Sequence, residues 1–289
     1  MGETMQLAFI GSGTMAEAMI RITTEAGVAV PQCIVASGPR AERGRELRAR
    51  YGVATCTDNR DALTLNGGQA DVVVLSVKPQ VLHAVIEELK GTIPPQALVL
   101  SIVAGVNTNT IARGLEQAAV VRAMPNTPAQ IGQGMTVWTA APAVSEPQGR
   151  CARDILRAMG EEVYVKDESK LDMATAVSGT GPTFVFLMME ALTDAAVHLG
   201  FSRRVARQLV TQTVLGSALF ACQSGRHLAE LRNMVTSPGG TSADAIYQLD
   251  KGGLRTVLSK AVWAAYLKSV QLGAVANGAV PTAVFPPDD

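Results

Sequence analysis

Aromatic residues are scarce in this chain. Phe, Trp and Tyr make up 4% of 289 residues, so aliphatic side chains and alanine must fill the core. Neither sign of charge is in excess, with 25 Lys plus Arg against 25 Asp plus Glu. No global field recruits nucleic acid or an anionic membrane, and neither is expected as a partner. The four cysteines, Cys33, Cys56, Cys151 and Cys222, are scattered and form no C-x-x-C pair. That argues against a zinc site and a disulfide framework, so no metal is expected and a reducing cytoplasm is. The opening M-G-E-T-M-Q-L-A-F-I lacks a basic stretch followed by a long apolar one, so no signal peptide is expected. Thr183 to Leu199 is apolar enough to raise the membrane question, but Glu190, Asp194 and His198 interrupt it at four-residue spacing. One polar stripe on a helix points to a buried helix of a soluble protein.

What the chain does have is two halves with different periods. In the first, short β-rich runs alternate with helix-sized segments: Gln6 to Ile10, Cys33 to Ala36, Val72 to Val77, Leu98 to Val103 and Ala119 to Ala123. Runs apolar on both faces and spaced by helices mean a parallel sheet with right-handed crossovers. Gly134 to Trp138 and Glu162 to Val165 are expected to add edge strands around a helix near Gln148 to Met159. Beyond the polar run K-D-E-S-K the strand patterns vanish and long helices follow: Thr183 to Leu199, Ser202 to Ala221 and Leu254 to Leu272. The expected division is 1–166 for the α/β domain, 167–275 for an all-helical domain and 276–289 for a loosely ordered proline-rich tail. The helical half is apolar on more faces than a small bundle can bury, which points to a dimer.

Two glycine-rich loops each offer to hold an anion. Gly11 to Ala16, G-S-G-T-M-A, is a G-x-G-x-x-A pattern between a predicted strand and a predicted helix. Gly11 allows the tight turn, Gly13 lets backbone approach a pyrophosphate, and the helix start supplies free N–H groups. At the end of the second strand, where an NAD site carries an acid, this chain reads Ser37, Gly38, Pro39, Arg40. A hydroxyl followed by Arg40 and Arg43 suits a 2′-phosphate, hence NADPH, unless those arginines are plain surface charges. The second loop is S-P-G-G-T-S-A-D, Ser237 to Asp244. Thr241 or Ser242 can cap the following helix, with Asp244 completing a capping box. The alternative use is a nest of amides and hydroxyls for a small carboxylate.

Taken together, F-I-G-S-G-T-M-A, S-V-K-P (Ser76 to Pro79), S-I-V-A-G-V (Ser101 to Val106), R-A-M-P-N-T-P (Arg122 to Pro128), S-G-T-G-P (Ser178 to Pro182) and V-T-S-P-G-G-T-S resemble the pyrroline-5-carboxylate reductase family from Gln6 to about Leu272. The resemblance implies an α/β Rossmann-type dinucleotide-binding domain followed by an all-α dimerisation domain. It implies reduction of 1-pyrroline-5-carboxylate to L-proline by NADPH, with NADH as an alternative donor, in a homodimer; larger assemblies of dimers occur in the family. By motif match the cofactor would touch Gly11, Ser12, Gly13, Thr14, Met15, Ser37, Arg40, Asn59, Val77, Lys78, Pro79 and Ala104. The substrate carboxylate would sit on Ser237, Gly239, Gly240, Thr241 and Ser242, with the imine nitrogen at Ser242, or Thr241 as runner-up. Glu168 falls where the family has a substrate-side acid.

Departures from the family's motifs stand out at four residues. The family's S-P-G-G-T-T ends here in Ser242, and its S-G-S-G-P-A-Y reads S-G-T-G-P-T-F, with Thr180, Thr183 and Phe184. They leave the chemistry intact and bear on substrate choice. A six-membered cyclic imino acid as substrate, or a dinucleotide-binding protein without catalysis, are the competing readings. No histidine lies in any motif; His83, His198 and His227 read as structural or surface residues.

Overall fold

The computed structural model describes residues 5–65 and 67–277. Short runs of Val, Leu, Ile and Ala form strands that are buried on both faces: β1 (Leu7–Ile10), β2 (Ile34–Ser37), β6 (Val72–Leu75) and β7 (Leu98–Ser101). With β3 (Ala54–Cys56), β8 (Val120–Met124), β9 (Gly134–Ala140) and β10 (Gly160–Tyr164) they make an eight-stranded sheet in the order β10-β9-β8-β7-β6-β1-β2-β3. A small hairpin, β4 (Thr64–Leu65) with β5 (Gly68–Gln69), stands apart. Within the eight-stranded sheet neighbouring strands are parallel except β8 and β9. Only one of the two expected edge strands is an edge: β10 lies outermost, while β9 sits inside it and runs antiparallel to β8. Hydrophobic periodicity marks a strand but carries no direction or neighbour.

Side chains alternate between two cores, as a sheet covered on both faces requires. Leu7 and Phe9 point to one face, with Met19 and Ile20 of α1 (Thr14–Glu25), Leu47 of α2 (Ala41–Tyr51) and Ile155 and Leu156 of α5 (Glu146–Ala158). Ala8 and Ile10 point to the other, with Leu82, Ile86 and Leu89 of α3 (Pro79–Leu89) and Ile111 and Leu115 of α4 (Thr108–Leu115). Local signals start two of these helices. Ser145 and Gln148 close a capping box on α5, and the Asn107 side chain accepts from Thr110 N at 2.7 Å to start α4.

The register positions the functional edge. Ile10 is level with Ser37 on one side and with Leu75 on the other, and Leu75 is level with Ser101. The loops after β1, β2, β6 and β7 therefore leave the sheet at one height and on one edge. β1 is also where the strand order reverses, with β2 and β3 to one side and β6, β7 and β8 to the other. Such a switch point opens a crevice at the carboxyl ends of the strands.

After Tyr164 helices replace strands among the described residues. The short α6 (Lys170–Ala174) runs into a π-turn at Thr175–Gly179, closed by Thr180 N donating to Thr175 O at 2.8 Å. The chain divides into two compact units after Thr180 and again after Ala264, with the residues from Ala265 onward returning to the first unit. The second unit holds α7 (Gly181–His198), α8 (Arg203–Ser224), α9 (Leu228–Met234), α10 (Thr241–Lys251) and the start of α11 (Leu254–Ala276). Of the tail expected over 276–289, Ala276 instead ends α11 and Asn277 follows as a hydrogen-bonded turn; the rest lies outside the described residues.

The helix over Thr183 to Leu199 forms as α7, but its expected burial does not hold in the single chain. None of its residues is buried, and Phe186 and Leu187 are 61% and 65% exposed. α7 packs along α8, which is itself exposed over most of its length, so one chain supplies no layer to cover it. Among the described residues no helix is long and apolar enough to cross a membrane.

One detail of the sheet is testable. Thr136 in β9 is fully buried, yet its hydroxyl has no hydrogen-bond partner. An unmet buried hydroxyl costs free energy that a methyl of the same shape does not. Thr136→Val is expected to leave Tm unchanged or raise it, read by thermal unfolding followed by circular dichroism; a clear drop would mean the hydroxyl is satisfied in solution.

Candidate active site

The loop Gly11–Gly13 joins β1 to α1 and is stitched to its neighbours. Gly11 has φ +103°, and a Cβ there would fall 2.9 Å from the Ser76 carbonyl, so only glycine fits. Gly11 N donates to Ser37 O at 3.1 Å, and the Ser76 hydroxyl donates to Gly11 O at 2.8 Å. Gly13 is the N-cap of α1 and carries no side-chain cap, while no atom lies within 4 Å of where its Cβ would be. The first-turn N–H groups at Thr14 and Met15 have no intrahelical acceptor and stand beside a partial positive charge, which fits a pyrophosphate.

Glu17 in that first turn would oppose an anion, but its charge is spent. Arg43 binds Glu17 and donates Nε to Ser12 O at 3.1 Å; Tyr51 donates to Glu17 at 2.9 Å and Arg50 at 3.1 Å. Burial pushes the Glu17 carboxyl up, yet the hydrogen bonds from Arg43 and Tyr51 prevail and hold it below the usual carboxylate range. Arg43 thus serves the cradle from beneath rather than standing ready for a 2′-phosphate. Arg40, the N-cap of α2, is exposed and its side chain has no partner among the described residues.

Ser37 also differs from its expected role as a free hydroxyl. It is fully buried and donates to Asn59 Oδ1 at 2.6 Å, with Phe9 O at 3.2 Å as a second acceptor. Asn59 in turn donates Nδ2 to Glu88 at 2.7 Å. The pair forms a held floor at the end of β2, from which one Asn59 amide hydrogen remains to be given. Val77 packs beside Gly11, Lys78 is the exposed N-cap of α3 followed by Pro79, and Ala104 lies half-buried in the turn after β7. All the expected cofactor residues lie in the first unit, on loops leaving the edge set by the strand register or, for Asn59, just after β3.

The second loop lies in the other unit. Gly239 has φ +68°, Gly240 N donates to Ser237 O at 3.0 Å, and the Ser237 hydroxyl lies against Gly240. The expected cap is absent: Gly240, not Thr241 or Ser242, is the N-cap of α10, no side chain caps it, and no capping box forms with Asp244. Thr241 and Ser242 occupy the first helical turn instead. Thr241 is exposed and Ser242 half-buried, and neither hydroxyl, nor that of Ser237, has a partner among the described residues. Unsatisfied first-turn N–H groups beside three unspent hydroxyls can take a carboxylate and orient a neighbouring polar atom.

Glu168 is placed otherwise than expected of a free acid. Its oxygens accept from Thr108 N and from Thr108 Oγ1, both at 2.8 Å, and from Arg122 at 3.2 Å. It anchors the start of α4 and neutralises a buried arginine. Arg122 also lies 3.7 Å from Asp172, which accepts from Ser269 of α11 at 2.8 Å. An arginine inside the apolar run of β8 was the available hint of such a clamp, because a buried cation needs partners. His227 caps α9, its ring accepting from Ala229 N, and His83 is exposed.

Residues 168–272 match the family description "Pyrroline-5-carboxylate reductase dimerisation", and residues 6–105 match "NADP oxidoreductase coenzyme F420-dependent". A pyrroline-5-carboxylate reductase of Synechocystis sp. is 40% identical over 270 residues, covering 93% of this chain and 99% of the relative. The solved structure of a pyrroline-5-carboxylate reductase from Coxiella burnetii superposes with TM-score 0.85 at 38% identity, over 93% of this chain and 99% of that one. A Plasmodium falciparum pyrroline carboxylate reductase with NADP bound gives 0.84 at 28% identity, over 94% and 99%.

The cradle's electrostatics have a pH signature. Because folding lowers the Glu17 pKa, the carboxylate's stabilisation is complete above its unfolded value and is lost as pH falls through the folded one. The Tm gap between the native chain and Glu17→Gln is expected to be widest near neutral pH and to close below about pH 4. A gap constant with pH would show that the Arg43 and Tyr51 bonds do not depend on the charge.

Proposed function

Because the chain belongs to the pyrroline-5-carboxylate reductase family, we infer that it reduces 1-pyrroline-5-carboxylate to L-proline with NADPH, acting on this small-molecule substrate as a homodimer. The observation that carries the substrate assignment is the uncapped start of α10, where the Ser237, Thr241 and Ser242 hydroxyls are unspent. With Gly240 as the N-cap, those hydroxyls and the first-turn amides are left for a ligand.

Bound NADPH supplies the hydride, and the Gly11–Met15 loop with Arg40, Asn59, Val77, Lys78, Pro79 and Ala104 would hold it. Ser37 would act there through the Asn59 amide that it orients. A protonated cyclic imine is already electrophilic, so the protein's task is to bind, orient and exclude water. The Ser237–Ser242 loop would take the ring carboxylate on its amides and hydroxyls, and Ser242 would hydrogen-bond the ring nitrogen. Glu168 has both oxygens engaged at α4, so we assign it a supporting part rather than contact with substrate.

The dimer explains the apolar surface left open in the second unit, where Phe186 and Leu187 of α7 and Leu215 and Phe220 of α8 are exposed in one chain. The cysteines are free, which supports a reducing compartment, and we place the protein in the cytoplasm.

Three results are expected. Ser242→Ala slows kcat by about ten- to a hundredfold, as loss of one hydrogen bond to a charged group does. No loss would move the role to Thr241, and complete loss would make Ser242 a proton donor. On a panel of five- and six-membered cyclic imino acids assayed with NADPH and NADH, the five-membered ring with NADPH gives the highest kcat/KM. Phe186→Glu lowers the molar mass by light scattering to that of one chain while NADP+ binding persists; the unaltered chain in the same measurement shows how far dimers associate further.

A further inference from the structure

The last described residue, Asn277, makes every hydrogen bond its side chain can make. Its Oδ1 accepts from Asn107 N at 3.0 Å and from the Thr110 hydroxyl at 2.9 Å. Its Nδ2 donates to Gly105 O at 2.9 Å and to Gly273 O at 2.6 Å. Three of those four partners belong to the segment running from the turn after β7 into α4. A second observation seats α11 on the same turn: Gly105 has φ +79°, and its Cβ position lies 3.2 Å from the Gly273 backbone, so the two backbone segments touch with no side chain between them. Two glycines allow the contact, and one asparagine fastens it. All these residues lie in the first unit.

What the turn would do follows from the strand order. β7 lies on the β6 side of β1, away from β2. In a sheet of this kind the adenosine half of a dinucleotide is held from the end of β2, and the other half lies across the crevice. The turn at Ala104 and Gly105 therefore belongs to the nicotinamide half. Its backbone conformation has no regular pairing partner of its own, since β7 ends at Ser101 and α4 begins at Thr108.

We propose that Asn277 is a positioning residue for the reaction: by satisfying Gly105 O, Asn107 N and Thr110 at once, it holds the Ala104 turn in the shape that receives the nicotinamide end of NADPH. This rests on the assignment of Ala104 to the cofactor site. Asn277 touches neither cofactor nor substrate; it acts through the turn.

The test uses the full chain and three measurements on Asn277→Ala and Asn277→Asp. The aspartate keeps the two acceptor bonds and loses both donors. Thermal unfolding first establishes that each variant is folded. Affinities for NADP+ and for 2′,5′-ADP, which carries only the adenosine half, are then measured by calorimetry. Amide hydrogen exchange over residues 103–107 is followed without ligand. Exchange is expected to accelerate in both variants, NADP+ to bind about tenfold more weakly, in line with loss of several neutral hydrogen bonds, and 2′,5′-ADP to bind unchanged. Equal weakening of both ligands would mean a general loss of structure and overturn the proposal. Faster exchange with unchanged NADP+ affinity would also overturn it, by showing that Asn277 holds the turn but the turn does not meet the cofactor. Unchanged exchange and unchanged affinity would remove the fastening itself.

Discussion

Strand β1 is paired in parallel on both flanks, with Ile10 level with Ser37 on one side and Leu75 on the other. That shared register decides where the chemistry can be. Because the strands stop together, the loops that follow them are brought to one rim, and the reversal of strand order at β1 leaves a crevice there. Gly11 can then pack against Ser76 and hydrogen-bond Ser37, and a slip of one residue would turn every side chain of β1 to the opposite core. The aliphatic runs that make the two cores are thus also what aligns the residues proposed to hold the cofactor.

The two loops proposed as anion sites solve their electrostatic problems differently. The Gly11–Gly13 loop opens onto a helix whose first turn carries an acid, and Arg43, Arg50 and Tyr51 absorb that charge from outside the cradle. The Ser237–Ser242 loop also opens onto a helix with an acid in its first turn, Asp244, but keeps its hydroxyls uncommitted at a helix start without a side-chain cap. The first arrangement suits a ligand held by backbone alone. The second suits one that needs side-chain hydrogen bonds in defined directions.

Much of this was legible in the residues, and the remainder was not for physical reasons. The runs at Leu7, Val72 and Leu98 declared themselves because a strand buried on both faces must be apolar throughout. β3 escaped notice because three half-exposed residues carry no period, and β9 was misplaced because pattern says nothing of direction. Thr241 looked like a cap because threonine, serine and an acid at that spacing satisfy the capping pattern; only the backbone shows that Gly240 holds the position. Glu168 was legible as an acid at a junction, but its partners Thr108 and Arg122 are 60 and 46 residues away. Ser37 was read as a hydroxyl on offer, whereas β1 and Asn59 enclose it. α7 read as buried because composition reports how apolar a helix is and not what covers it.

Arg122 is neutralised by Glu168 and Asp172, and Asp172 is in turn bound by Ser269 near the end of α11. The unit that contains them is discontinuous, interrupted between Thr180 and Ala265 by the whole second unit. A ribosome therefore releases the sheet and its helices long before it makes the piece that completes them. While the nascent chain waits, Asp172 lacks its serine and the turn after β7 lacks α11. The α/β unit can settle into its final form only once the second half of α11 has been made, which ties maturation of the proposed cofactor crevice to synthesis of that helix.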